Sequence, residues 1–496
     1  MLYNAELPFE ELLLTVSLVV SVFVSAIMQD RTALRACIAC IYKWMRPRAL
    51  RELEHQTRRK VSYKTFQKYL ETANPEFANR VLRMKELRPT RERALVKMHD
   101  LLFREPEICD STAAWSEVHA SINQAFSESN SRGSIEKCGE IADRHVRLWR
   151  TIEQDLQSPY DLYRSLTGFS TDAMMYAVHG MNLRLDADLR RLPLKHINDL
   201  KEAYCSSVGY PTQRTGRNVG VDGIFRATKY FNELATKVMD RFRGQNNATE
   251  SEGNGCPFLK HLLTSQESGS AVDQLAGPVS LLLVLIGAEA TAYTLNVCLY
   301  FLAKTPTVQD RMRREILSIL GDRTKIEFGD LERMKYVESV ILETLRLAPL
   351  HAKITRYADA DGKVGDISFK KGMPIEIDVT EMSRDAKNFP EPLLFRPERF
   401  CDPDVRRKQR MEAFLAFGSG TGSCPAREFS MYLMKSFLAQ FCLKLRAVKT
   451  PKTPACAGQS APELSLAYFL YAKKFVSHRL LIGIQPVYDD FGDDHD

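Results

Sequence analysis

Residues Pro278 to Ala303 form a long apolar stretch with one charge, Glu289, near the middle. A stretch of this length crosses either a bilayer or the centre of a large domain. An acid at mid-span is costly in lipid, whereas a helix that is apolar all round fits the core of a big soluble domain. Both readings require a chain organised around one long helix. The chain has 496 residues, 44% of them hydrophobic, enough for a large core. Length alone would allow several domains, but the pattern around this stretch reads as one large helical domain.

From residue 50 to about residue 240 charged and apolar residues interleave at helical spacing, for instance over Tyr63 to Leu87 and Ala114 to Phe126. Ser127 to Gly133 and Gly244 to Gly255 read as loops, the second the most polar stretch of the chain and expected to be mobile. Downstream the character changes. Tyr336 to Leu347 has the pattern of a strongly amphipathic helix, and residues 351–380 alternate in short segments with Gly362, Gly365 and Gly372 as turns, predicting a small sheet. Phe414 to Leu445 begins as a Gly-rich loop and continues as a helix.

The N-terminus carries a separate signal. Leu12 to Met28 is uncharged and mostly Leu, Val, Ser and Phe, just short of the usual spanning length. Glu6, Glu10 and Glu11 precede it; Arg31, Arg35, Lys43, Arg46 and Arg48 follow. The positive-inside rule then keeps the body cytosolic and makes residues 1–30 a retained anchor in membrane lipid. A cleaved signal peptide is the alternative, disfavoured by the acidic start and the lack of a small-residue cleavage site. In that topology the sequon Asn247-Ala-Thr249 stays unmodified. The net charge of +7 is dispersed and gives no footprint for nucleic acid. Eleven scattered cysteines imply a reducing compartment. Cys37 and Cys40 lack the strand context or second pair that a redox or metal site needs.

One cysteine stands apart. Phe417-Gly-Ser-Gly-Thr-Gly-Ser-Cys424-Pro-Ala-Arg427 leads into the last long helical pattern. Its glycines let the backbone approach a flat bulky object closely. Amide N–H groups at a helix start favour a thiolate at Cys424. Upstream, Glu343 and Arg346 share a helix face and can pair, and Arg399, in Phe395-Arg-Pro-Glu-Arg-Phe400, can complete a buried Glu–Arg–Arg set.

In this order and at these separations the three motifs resemble the cytochrome P450 superfamily. The motif match spans residues 336–445, and a looser likeness reaches from about residue 160 to the end. In detail the chain is similar to the branch containing sterol 7α-hydroxylases and prostacyclin synthase, with the Asp361-to-Phe369 hairpin in keeping, and has the flavour of a fungal secondary-metabolism member. The resemblance implies a mainly α fold: a large helical domain with a small β-rich subdomain over residues 31–485, after the anchor helix and before an acidic tail at 486–496. It implies heme b, with Cys424 as the thiolate ligand of the iron, Phe417 packed near it, and Arg356 on a propionate. Trp115 and His119 resemble the family's Trp-x-x-x-Arg propionate pair. Glu343, Arg346 and Arg399 become a structural network.

The long helix would cross the distal face of the haem, where the family places an acid and an alcohol to deliver protons. Gly287-Ala-Glu-Ala-Thr291 allows two registers: Glu289 as the acid with Ala290 in place of the alcohol, or Thr291 as the alcohol with Ala290 in place of the acid. Each lacks one partner. Further departures are Gly422 at a frequent propionate-binding position, Ala426 in place of Gly, and the want of a proline-rich hinge and strand pair in residues 30–110. The substrate walls implied are the central helix, Leu350 to Ile354, and the turn near Phe469 to Tyr471. His351 and Lys353 either face a polar substrate group or point away.

The leading expectation is a monooxygenase acting on an apolar sterol, terpenoid or other secondary metabolite, single-pass in the endoplasmic reticulum membrane. No dinucleotide or P-loop motif is present, so electrons would come from a separate NADPH-cytochrome P450 reductase, docked on basic residues such as Arg406, Arg407, Lys408, Arg410 and Arg427. One alternative is an isomerase that rearranges peroxides without dioxygen. Another is a degenerate, non-catalytic relative.

Overall fold

The structure is a computed structural model. It describes residues 64–66, 69–84, 87–89, 112–150, 162–184, 233, 258, 271–401, 411–451, 453 and 482–487. The anchor at 1–30, Cys37 and Cys40, the stretch 244–255, the basic run 406–410, the turn near Phe469 and the tail at 488–496 lie outside the described residues.

Strands β1 (Lys64–Phe66) and β2 (Tyr69–Thr72) come first, then helix α1 (Pro75–Arg83) and β3 (Leu87–Pro89). The helical reading of 63–87 is therefore corrected: a strand pair precedes the helix, the pair that the sequence did not reveal. The local reason lies at Asn74, whose side chain accepts the Phe77 amide at 2.9 Å, with Pro75 at the first helical position. These cap the helix at Pro75 and leave the residues before it free to extend. β2 then pairs in parallel with a strand some 300 residues away, Leu70 opposite Ile375.

Helices α2 (Thr112–Ala125), α3 (Glu128–Arg150), α4 (Leu162–His179), α5 (Ala271–Lys304), α6 (Pro306–Leu320), α7 (Phe328–Arg333) and α8 (Lys335–Leu347) form the helical body. The loop expected at Ser127 to Gly133 shrinks to a turn at Phe126 and Ser127, and the rest is the first part of α3. Ser131 and Ser134 are buried, so tertiary packing overrides the polar, Gly-containing local signal. Strands β4 (Lys353–Ala358), β5 (Gly362–Val364), β6 (Ile367–Phe369) and β7 (Pro374–Asp378) follow, then α9 (Val379–Ser383), α10 (Glu398–Cys401), α11 (Arg427–Lys444), β8 (Leu445–Val448) and β9 (Gly483–Pro486). The main sheet has the order β1-β2-β7-β4-β3, and β5-β6 and β8-β9 are separate two-stranded sheets. Gly365 and Gly372 turn the chain at positive φ as expected, but Gly362 lies within β5, where a Cβ would meet the Phe369 ring at 2.5 Å.

The long apolar stretch runs through the core of the helical body. α5 has 34 residues, roughly 50 Å, and 78% of its most apolar window is buried inside the protein. Of the two readings, the core helix is the one that this packing supports. α4 lies along it. Gly287 lets the two approach, since a Cβ there would come within 2.6 Å of the Met174 side chain. His179 Nε2 and Ser280 Oγ, 2.9 Å apart, tie the same pair of helices. α8 is also a core helix, with every residue from Ser339 to Leu347 buried. Its charged pair Glu343 and Arg346 does not meet water; it is covered by the segment before α10.

Candidate functional site

The loop 417–424 closes on itself. The Cys424 amide donates to the Phe417 carbonyl at 2.8 Å, Ser423 N to Gly420 O at 3.1 Å, and Gly418 N to Leu415 O at 2.9 Å. Gly418 and Gly420 have φ of 71° and 67°, a region that favours glycine. Gly420 also presses on α1: a Cβ there would lie 2.1 Å from the Leu82 carbonyl oxygen. Gly420→Ala is expected to cost about 2 kcal/mol or more, combining left-handed strain with a backbone clash. Gly365→Ala, strained at a φ of 58° but with its nearest neighbour 4.0 Å away, is expected to cost only about 1 kcal/mol. Denaturant unfolding of the two variants measures the difference.

Cys424 is accessible to solvent, yet burial among protein atoms raises its thiol pKa, with the Ala426 amide and Arg427 opposing. The acidic thiol expected from the helix start is thus reversed in the free protein: burial outweighs the amide, and a bound metal cation would be the charge that deprotonates it. Arg427 lies over the Phe417 ring, 5.4 Å from its centroid, so Phe417, Cys424 and Arg427 form one cluster. Ala426 has φ −104° and ψ 25°, which need no glycine, so the departure at this position is accommodated.

The network behind α8 is fully formed. Arg346 donates from Nε to Glu343 Oε2 at 2.7 Å and from Nη2 to Oε1 at 2.8 Å, and from Nη1 to the carbonyls of Ser383 and Pro392 at 2.7 and 2.8 Å. Arg399 Nε reaches Glu343 Oε1 at 3.0 Å, and the Arg396 amide reaches the same oxygen at 2.9 Å. Glu343 and Arg346 are 0% exposed. The solvated-surface alternative for an i,i+3 pair does not apply here.

On α5 most of the described side chains are buried, but one stripe is not. Leu283, Gly287 and Ala290 are half-buried and Ile286 is 49% exposed, the i, i+3, i+4, i+7 set of one helix face. Ala290 lies on this stripe. Glu289 and Thr291 flank it at about 100° to either side, and both are buried. Glu289 turns toward α4, where the Tyr163 hydroxyl donates a short hydrogen bond to it. Burial raises the Glu289 pKa to about 8, so the acid is protonated at neutral pH. The unfolded chain loses this proton near the ordinary value of 4.5. Stability from Glu289 is therefore fully present below about pH 4.5 and lost as pH rises through about 8. Glu289→Gln is expected to flatten this slope: relative to the variant, the native chain loses a few kcal/mol (order of magnitude) across that window, as unfolding titrations at several pH values would show.

Other site residues separate. Arg356 is buried on β4, its guanidinium donating to Thr355 O at 3.1 Å. Lys353 is held between Glu71 and Glu376 at 2.6 and 3.0 Å, so it is committed to the main sheet. His351 resembles Cys424: exposed, yet with a pKa lowered by burial. Trp115 lies on α2. His119, on the same helix, places Nε2 3.2 Å from the carbonyl of Ser423. That contact with the cysteine loop has no signal in the sequence, because it joins segments 304 residues apart.

A solvent-accessible thiol, a self-closed loop rich in glycine, and an apolar uncovered stripe on the central helix fit a flat, apolar, thiolate-bound group such as haem. A family model described as Cytochrome P450 matches residues 50–464. Cytochrome P450 3A13 of Mus musculus is 30% identical over 211 residues, 41% of this chain and 42% of the relative. Cytochrome P450 98A8 of Arabidopsis thaliana is 31% identical over 178 residues, 36% of each. Thromboxane-A synthase of Rattus norvegicus is 32% identical over 206 residues, 41% of this chain and 38% of the relative. The chain thus covers less than half the length of these curated relatives.

Proposed function

Since the chain belongs to the cytochrome P450 family, we propose that it is a haem-thiolate monooxygenase that inserts one oxygen atom of dioxygen into an apolar small molecule. The observation that carries the reading is Cys424, accessible to solvent at the end of a self-closed glycine-rich loop. Haem bound through Cys424 would supply oxygen activation assisted by electron donation from the thiolate. Phe417 and Arg427 would shield the sulfur side of the site from water. Leu283, Ile286 and Ala290 present an apolar surface suited to substrate, a sterol, terpenoid or similar lipid. Arg356 would hold a propionate. Electrons would come from a separate NADPH reductase, with residues 1–30 anchoring the chain in the endoplasmic reticulum membrane.

Proton handling favours a second reading. The uncovered stripe carries Ala290, which has no hydroxyl, while Glu289 is engaged by Tyr163 on the buried side. An open face without an acid or alcohol among its described residues suits rearrangement of a peroxide, which needs neither dioxygen nor electrons. Two measurements decide between these. A thiolate-type Soret band of the reduced, carbon-monoxide-bound full chain is expected under both, and its absence would refute both in favour of a non-catalytic relative. Dioxygen uptake stoichiometric with product, in the presence of reductase and NADPH, is expected of the monooxygenase. Product formed from a peroxide without uptake would overturn it in favour of the isomerase.

A further inference from the structure

We propose that His119 is a positioning residue that clamps the peptide carrying Cys424; the inference rests on Cys424 as the thiolate ligand. Two of its ring contacts assign the tautomer. The Ser423 carbonyl can only accept, so the His119 Nε2 facing it at 3.2 Å carries the proton and donates. Asn123 Nδ2, 3.2 Å from Nδ1, can only donate, so Nδ1 keeps its lone pair. Asn123 is one turn further along α2, where it orients the ring.

The bond falls on a specific peptide. The Ser423 carbonyl and the Cys424 amide belong to one planar unit. His119 holds the oxygen edge, and the Phe417 carbonyl holds the N–H edge at 2.8 Å. Fixing both edges removes rotation of the plane and sets the direction in which the Cys424 side chain leaves the backbone. Hydrogen bonds in line through one peptide also polarise each other.

The clamp has a rigid base. Ile122 and Ala125 of α2 are buried, and Phe126, at its end, packs against Phe429 of α11 with ring centroids 5.1 Å apart. α2 is thus docked on the helix that begins three residues after Cys424, and His119 reaches back from it to the loop. This use of His119 differs from a contact with a haem propionate. The clamp acts in the haem-free protein; a propionate contact does not.

The test compares the full chain with His119→Ala, His119→Gln and Asn123→Ala. One readout is hydrogen exchange at the Cys424 amide in haem-free protein. The other is the rate at which the thiolate-type band of the reduced, carbon-monoxide-bound form is lost. His119→Ala is expected to speed both roughly fivefold to tenfold, the equivalent of one lost hydrogen bond of about 1 kcal/mol. Gln, whose Nε2 can occupy the donor position, is expected to restore most of the difference, and Asn123→Ala to act more weakly in the same direction. Unchanged exchange in His119→Ala, or in Asn123→Ala if the alanine at 119 does not fold, overturns the clamp. Loss of haem from His119→Gln with exchange unchanged would instead assign His119 to a propionate. If the native chain shows no thiolate band, the ligand assignment fails, and the exchange data still decide whether His119 holds the loop.

Discussion

Replacing Cys424 by serine is expected to abolish the thiolate-type Soret band of the reduced, carbon-monoxide-bound protein and, with it, turnover. Serine matches the size of cysteine and suits the loop, whose closure rests on backbone bonds from residues 418, 423 and 424 rather than on the sulfur. Folding is therefore expected to survive, with unfolding of the haem-free variant within about 0.5 kcal/mol of the native chain, as for a substitution that touches no core contact. What disappears is the ligand: a hydroxyl is not the soft, electron-donating group that a thiolate is. The comparison needs two measurements, the spectrum and the haem-free stability. A retained thiolate-type band would refute Cys424 as the ligand. A large loss of haem-free stability would mean that the sulfur is part of the packing. Cys138, Cys298 and Cys442 are all buried, with thiol pKa values pushed well above the ordinary range by that burial, and none is placed to take over.

Arg346→Ala is expected to be the most damaging single change to the fold. Both members of the Glu343–Arg346 pair are fully buried, and the arginine also satisfies the carbonyls of Ser383 and Pro392. Removing one partner of a buried pair leaves the other charge uncompensated and costs about 3–5 kcal/mol. That is a large share of the roughly 5–15 kcal/mol that holds a domain together. Arg399 still reaches Glu343, so the carboxylate keeps one charged partner and the loss belongs at the lower end of that range. Lysine is expected to recover little, because one ammonium cannot reproduce the two-pronged bond to Glu343 and the two carbonyl bonds together. Denaturant unfolding and the yield of folded protein measure this. A change below about 1 kcal/mol is what a solvated surface pair would give, and it would contradict the buried network.

The resemblance that identified the chain rests on short ordered motifs, and these place their residues as local geometry demands. Glu343 and Arg346 meet because residues three apart share a helix face. Gly418 and Gly420 turn where only glycine turns freely. β1 and β2 were missed because their partner, β7, lies some 300 residues on, and nothing near Lys64–Thr72 announces it. The Ser127–Gly133 segment looked like a loop by composition, and only burial against the body makes the part from Glu128 onward helix.

The sequence by itself determined the central helix, the cysteine loop and the members of the Glu–Arg–Arg set. Their chemistry is written in residue type and in spacings that secondary structure converts directly into geometry. Helical periodicity also fixed the angles between Glu289, Ala290 and Thr291, but it could not say which of the three faces outward on α5. Tertiary packing decided that. α4 covers the Glu289 side and Tyr163 bonds to it, leaving Ala290 on the uncovered stripe. The same holds for Cys424. Its place was legible in the loop, but the His119 bond to its peptide joins segments far apart in the chain, whose meeting no local rule dictates.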